Sequence, residues 1–135
     1  MNLTETQTLA AALLVIEMAE REVNFNRPQD MNGGKEALNV AFTSLMVELG
    51  ELAQELDIKP WKVRNTPPDP FKVADEFADV IAFFGVLMVN IMEQVGLDVY
   101  SFAKAFTDKT EINIARAQGK VEGYIPGAGI GTSGT

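Results

Sequence analysis

Four acidic side chains carry the chemistry that can be read first in this sequence. Glu48 and Glu51 stand three residues apart, and Glu76 and Asp79 repeat the offset further along the chain. Each residue of an α-helix advances by about 100°. With Glu48 at zero, Glu51 falls near −60° and Glu55 near −20°, while Leu38, Leu45, Leu49, Leu52 and Leu56 lie between about +40° and +100°. With Glu76 at zero, Asp79 again falls near −60°, and Val73, Phe77, Val80, Phe84, Leu87 and Ile91 lie between about +20° and +100°. Both segments therefore read as helices with an acidic strip beside an apolar one. If the apolar strips pack together, four carboxylates converge at the edge of the seam, where they must take up protons or be neutralised by a cation. One such pair on a solvated face means little, because Glu is a good helix former. Its repetition on two helices, each time flush with an apolar strip, points to a divalent-metal site.

The residues that are absent narrow the metal and the chemistry. The chain has no cysteine and no histidine, which removes thiolate nucleophiles, Ser/His triads, ordinary zinc sites and the Glu-x-x-His ligands of di-iron bundles. Oxygen-ligand chemistry remains, suited to Mg²⁺, Mn²⁺ or Ca²⁺. The net charge of −8 over 135 residues, without a Lys/Arg run to track a phosphate backbone, argues against a nucleic-acid partner. A small anionic substrate is compatible with that charge if metal ions bridge it. The N-terminus lacks the basic region of a secretion signal, and the apolar run Val80 to Met92 is shorter than the roughly 20 residues a bilayer requires. No membrane partner and a cytoplasmic location are expected.

The elements that must position the carboxylates are all helical. Thr4 and Gln7 form a capping-box pattern for a first helix running to Val23. Residues 24–34 are rich in turn formers, and a second helix is expected from about Lys35 to Asp57. Pro60 and the run Thr66 to Pro70 make a stiff connection, in which Asp69 caps the third helix and Pro70 takes its first position. Gly96 ends that helix near Val95, and Asp98 caps a fourth that continues to about Gly119. The expected fold class is all-α and four-helix-bundle-like, with a single domain over residues 1–120 and a Gly-rich tail over residues 121–135. The tail's alternating glycines, without a strand before them or a helix after, are a weak phosphate signal and read better as a flexible end. The long apolar third helix leaves more surface than one small bundle covers, so a homodimer or homotetramer bordering the site is expected.

A second constellation lies on the fourth helix. Lys109, Asn113 and Arg116, at offsets of four and seven, fall within about 60° of one another. Two cations and an amide beside Phe102 and Phe106 suit phosphate oxygens. The alternative is that the cations pair with surface carboxylates such as Asp108 and Glu111.

Together these stretches resemble the all-α nucleoside triphosphate pyrophosphatases, the MazG-like superfamily, and look most like its dimeric dUTPase branch. The likeness rests on VELGELAQEL (Val47 to Leu56), KPWK (Lys59 to Lys62), DEFADVIAFF (Asp75 to Phe84) and KTEINIARAQGKVEGY (Lys109 to Tyr124). It implies a Mg²⁺-dependent enzyme, with Mn²⁺ as a substitute, that hydrolyses a nucleoside triphosphate to the monophosphate and pyrophosphate. Glu48, Glu51, Glu76 and Asp79 would hold the metals, with Glu48 also orienting or deprotonating the attacking water. Lys109, Asn113, Arg116 and Tyr124 would contact the substrate. Trp61 and Lys62 match the family's Trp-Lys element, where an aromatic could stack on the base and an ammonium could reach a phosphate. Trp61 could instead plug the Pro-rich connection onto the helices.

Two features depart from the family. Ile81-Ala82-Phe83 stands where a His is frequent, and Gln7 does not sit in the family's uracil-reading context, so the base-reading part of the pattern is not carried over. A MazG-like housecleaning enzyme of different base preference, or a non-catalytic helical module holding a structural cation, are the alternatives. Val47, where MazG-like motifs usually carry another Glu, favours the dUTPase-like reading.

Overall fold

The computed structural model describes residues 3–23, 34–64 and 66–120, and these form four α-helices with no strand among them. The helices are α1 (Leu3–Val23), α2 (Lys35–Leu56), α3 (Pro70–Val95) and α4 (Val99–Ala117). The expected all-α class is the one observed.

Local signals set most of the helix ends. Asp69 Oδ1 accepts the Phe71 N–H at 2.9 Å and Pro70 opens α3, so one of the orphan donors of the first turn is satisfied and a missing N–H costs nothing there. Gly96 closes α3 at φ 73°, its N–H donating to the Met92 carbonyl, a left-handed conformation that glycine adopts without a Cβ clash. Asp98 Oδ1 then accepts from both the N–H and the hydroxyl of Ser101, at 2.8 and 2.9 Å. These bonds favour the ionised carboxylate and hold the Asp98 pKa below its usual value, the backbone bond contributing most. Two boundaries differ from expectation. α1 begins at Leu3, so Thr4 lies inside the first turn, where its carbonyl accepts the Thr8 hydroxyl at 2.8 Å. α4 stops at Ala117, two residues before Gly119.

The chain forms two compact units, Val15–Leu97 and a second composed of Met1–Leu14 with Asp98–Thr135. In the first unit α2 and α3 pack against each other. Gln94 Nε2 near the end of α3 donates to the Gly34 carbonyl at the start of α2, which fixes the pair as antiparallel. The core contains Ala41 from α2 and Gly85, Met88, Val89 and Met92 from α3. Asn90 is buried with them, donating from Nδ2 to the Val86 carbonyl at 2.7 Å, so its amide is not left unpaired in apolar surroundings. The C-terminal part of α1 joins α3 through Arg21, whose guanidinium bonds Glu17 at 2.9 Å and Glu93 at 3.0 Å. In the second unit Ala103 is fully buried, and the buried hydroxyls of Thr6 and Thr107 share a hydrogen bond of 2.9 Å.

By length and composition α3 could cross a membrane, being twice as long as the apolar run that first drew attention. Core helices of water-soluble proteins pass the same test, and the first turns of α3 carry Asp75, Glu76 and Asp79.

Candidate metal centre

The antiparallel pairing of α2 and α3 sets the acidic strip of one helix beside that of the other. Carboxylate oxygens of Glu48, Glu76 and Asp79 all lie within 4.8 Å of one another. Glu48 and Glu76 are half-buried and Asp79 is exposed, so the cluster opens to water on the Asp79 side.

Glu51 stands beside this group rather than within it. It is exposed, one helical turn beyond Glu48, yet its charge acts on both Glu48 and Glu76. Burial, then the charge and hydrogen bonding of Glu51, then Asp79 and Glu76, raise the Glu48 pKa above the ordinary carboxylate value. Burial, then Glu51, Asp79, Glu55 and Asp75, raise that of Glu76. Asp75 thus adds to the acidic groups around the site, beyond the two pairs at the three-residue offset.

The donor set fits a hard divalent cation. Oε2 of Glu48 and Oε2 of Glu76 are buried and accept no hydrogen bond from the described residues. Buried carboxylate oxygens ordinarily have a partner, and Mg²⁺ or Mn²⁺ takes oxygen ligands of this kind without histidine or cysteine. The surrounding negative potential strengthens cation binding further.

The other expected site residues are placed as follows. Trp61 and Lys62 lie in the connection between α2 and α3, and Trp61 is 80 % exposed, so it does not plug the connection onto the helices. Arg64 holds the connection instead, its Nη2 donating to the Leu56 carbonyl at the end of α2, one of the acceptors a helix C-terminus leaves open. In the other compact unit, α4 carries exposed Lys109 and half-buried Asn113 and Arg116 on one face. Asp108, a possible surface partner for Lys109, takes the Lys104 ammonium at 2.8 Å. Tyr124 and the Gly-rich tail lie outside the described residues.

Beside the carboxylates the structure contains a groove that the sequence did not announce. It has a volume of about 640 Å³, and its lining includes Ile16 and Glu20 from α1, Val40 and Ser44 from α2, and Ala78, Ala82 and Phe83 from α3. Ala78 and Ala82, one turn apart, leave the space, and Gly85 lets α1 approach. A Cβ at position 85 would stand 2.8 Å from Ile16 Cγ2. The advance signal was small residues at helical spacing on α3; Glu20, in the charged end of α1 beside Glu17, Arg21 and Glu22, does not stand out.

The same stretch of chain is the one that comparison with known proteins picks out. A family model described as dUTPase matches residues 17–91, more than half of the chain, from the end of α1 through both acidic pairs to near the end of α3. Neither the curated proteins nor the solved structures compared with the chain include a match. The chain belongs to the all-α dUTPase family, related to the MazG-like superfamily.

Proposed function

We propose that this chain is a Mg²⁺-dependent nucleoside triphosphate pyrophosphohydrolase, releasing pyrophosphate and a nucleoside monophosphate, with dUTP as the substrate to which family membership points. The observation that carries this reading is the convergence of Glu48, Glu76 and Asp79 oxygens from two helices within 4.8 Å, two of those side chains keeping a buried oxygen without a hydrogen-bond partner among the described residues.

Glu48, Glu51, Glu76 and Asp79 would hold the metal. When bound, Mg²⁺ supplies charge against the triphosphate oxygens and acidifies water at its surface. Glu48 takes the role of base. Its raised pKa leaves it a better proton acceptor than an ordinary glutamate while it is ionised. It orients a water whose oxygen bonds to phosphorus, and it accepts the proton as the bridging P–O bond breaks and pyrophosphate leaves with the electron pair. Lys109, Asn113 and Arg116 are assigned to phosphate and sugar oxygens, as is Tyr124 to the substrate, from the late motif's likeness to the family. Trp61 and Lys62 are assigned to base and phosphate. The exposure of Trp61 supports a surface free to meet a ligand.

We also assign a homo-oligomer. On α2, Val40, Phe42, Met46 and Val47 are exposed, as are Phe77, Ile81 and Phe84 on α3. Apolar surface of that extent in a water-soluble protein is ordinarily covered by a partner.

The test is a panel of nucleoside triphosphates with and without Mg²⁺, with pyrophosphate and orthophosphate detected separately. Pyrophosphate released from dUTP only when Mg²⁺ is present is the expected result. Orthophosphate as first product, or a metal that raises the melting temperature while no nucleotide is hydrolysed, would overturn it in favour of a different hydrolase or a cation-binding module.

A further inference from the structure

We infer that Arg64 is a positioning residue: its guanidinium closes residues 57–64 into a preordered loop that holds the Trp61 indole and the Lys62 ammonium ready for the nucleotide. This role rests on the pyrophosphohydrolase reading for its effect on catalysis, whereas the order of the loop exists without any ligand.

The backbone shapes the loop from its α2 side. Asp57 turns the chain out of α2 with φ 50°, the only positive φ of a non-glycine among the described residues, in a region that a short polar side chain tolerates better than most. Its N–H donates to the Gln54 carbonyl at 3.1 Å, and the Lys62 N–H donates to the Lys59 carbonyl at 3.2 Å. The second bond closes a β-turn with Pro60 at its first inner position and Trp61 at its second. Proline there fixes φ in advance, so the turn sets the backbone beneath the indole.

Those bonds are local and stop at Lys62. Beyond it, Arg64 Nη2 donates to the Leu56 carbonyl, eight positions back along the chain. Among the described residues this is the bond that returns the far end of the loop to α2. Packing gives no substitute, because Ile58, Trp61 and Val63 are all exposed. Leu56 is the last residue of α2, where carbonyls lack intrahelical donors and the helix dipole favours a cation. A guanidinium meets both needs. An indole standing in water on an ordered loop can stack on a planar ligand without first paying to order the backbone beneath it. Without the clamp, only molecules with the loop already formed bind, and the apparent affinity falls by that fraction.

Trp61 is the only tryptophan of the chain, so intrinsic fluorescence reports this loop alone. The experiment measures time-resolved Trp61 anisotropy without ligand, then kcat and KM for dUTP with Mg²⁺, in the wild type, Arg64→Ala and Arg64→Lys. Arg64→Ala is expected to lower the residual anisotropy, as a loop freed on the nanosecond timescale does. Its KM is expected to rise by about three- to tenfold, the worth of one hydrogen bond. An unchanged kcat should accompany that rise, because the carboxylates are untouched and the lost binding weakens ground and transition states equally. Arg64→Lys keeps a cationic donor and should restore part of both the anisotropy and the KM.

Unchanged anisotropy in Arg64→Ala overturns the clamp, whether or not any nucleotide is hydrolysed. A raised KM beside unchanged anisotropy assigns Arg64 to a direct charge contact with the substrate and overturns it too. Lower anisotropy with the same KM, or a fall in kcat alone, overturns the positioning role while leaving pyrophosphate release intact. If the wild type hydrolyses nothing, the proposed activity fails, and titration of Trp61 fluorescence with dUTP and Mg²⁺ takes the place of KM. No response, or equal dissociation constants for wild type and Arg64→Ala, then overturns the positioning role as well. Should Arg64→Ala fail to fold, Arg64→Gln takes its place under the same criteria.

Discussion

Gly85→Ala tests the packing that forms the groove. The new Cβ would stand 2.8 Å from Ile16 Cγ2, whereas carbon atoms in good contact lie about 3.5–4.0 Å apart. The shortfall is therefore roughly 1 Å. Ile is branched at Cβ and strongly prefers one rotamer in a helix, so the methyl cannot swing aside and α1 must shift from α3. Overpacking of this kind costs about 1–3 kcal/mol, against which replacing Gly by Ala in a helix interior returns roughly 0.5–1 kcal/mol. The net expectation is a loss of up to about 2.5 kcal/mol, centred near 1 kcal/mol, from the difference of those two ranges. In a domain of this size a loss of about 1 kcal/mol lowers Tm by roughly 4 °C.

Thermal unfolding without metal would measure it, and a second substitution identifies the cause. Ile16→Leu removes the Cβ methyl at nearly constant volume, so the double variant should recover most of the loss in a double-mutant cycle. An increase in Tm for Gly85→Ala alone, or strictly additive losses, would refute the close approach of α1 to α3.

Glu51→Gln is expected to abolish turnover while keeping or raising stability without metal, because one negative charge acting on Glu48 and Glu76 is removed; a lower metal-free Tm contradicts it. Glu48 and Glu76 have raised pKa values in the folded state. The native state thus binds more protons than the unfolded one between the ordinary carboxylate pKa and the raised values. The contribution of these two groups to metal-free stability should therefore grow as pH falls from neutral through that window, while Mg²⁺ affinity weakens as protons compete; urea titrations and calorimetry at several pH values measure the two slopes. Asp98 works in the opposite sense, its stabilising contribution being lost as pH falls through its lowered pKa. Asp69→Ala removes the cap on Phe71 and should cost about 1 kcal/mol with kcat little changed, as measured by denaturant unfolding and steady-state rates. Sedimentation at micromolar concentration should show a dimer or larger species, and a monomer would contradict the reading of the exposed apolar surface.

What could be read in the sequence was what a single helix determines by itself. Asp69-Pro70, Gly96 and Asp98 each act on their nearest turn, so the ends of α3 and the start of α4 fell where the residues placed them. The acidic pairs were legible for the same reason, since a three-residue offset beside an apolar strip fixes a face. Thr4 failed as a boundary because a capping pattern also fits inside a first turn, and α1 starts one residue earlier.

What escaped the sequence depends on how helices meet. The strip of α3 expected to be buried includes Phe77 and Phe84, which are 52 % and 42 % exposed, whereas the residues most removed from water are Met88 and Val89 toward its other end. Helical angle gives a face but not how far along it a neighbour reaches. The groove with Glu20 depends on three helices and on small side chains whose meaning is the space they leave. No local pattern announces such a space.

The most direct measurement is the position of Mn²⁺ in crystals of the wild type, located by anomalous scattering and repeated for Glu76→Gln. The account requires a strong peak coordinated by Glu48, Glu76 and Asp79 in the wild type, lost or greatly weakened in the variant. A metal held elsewhere, or a peak unchanged by Glu76→Gln, would contradict it.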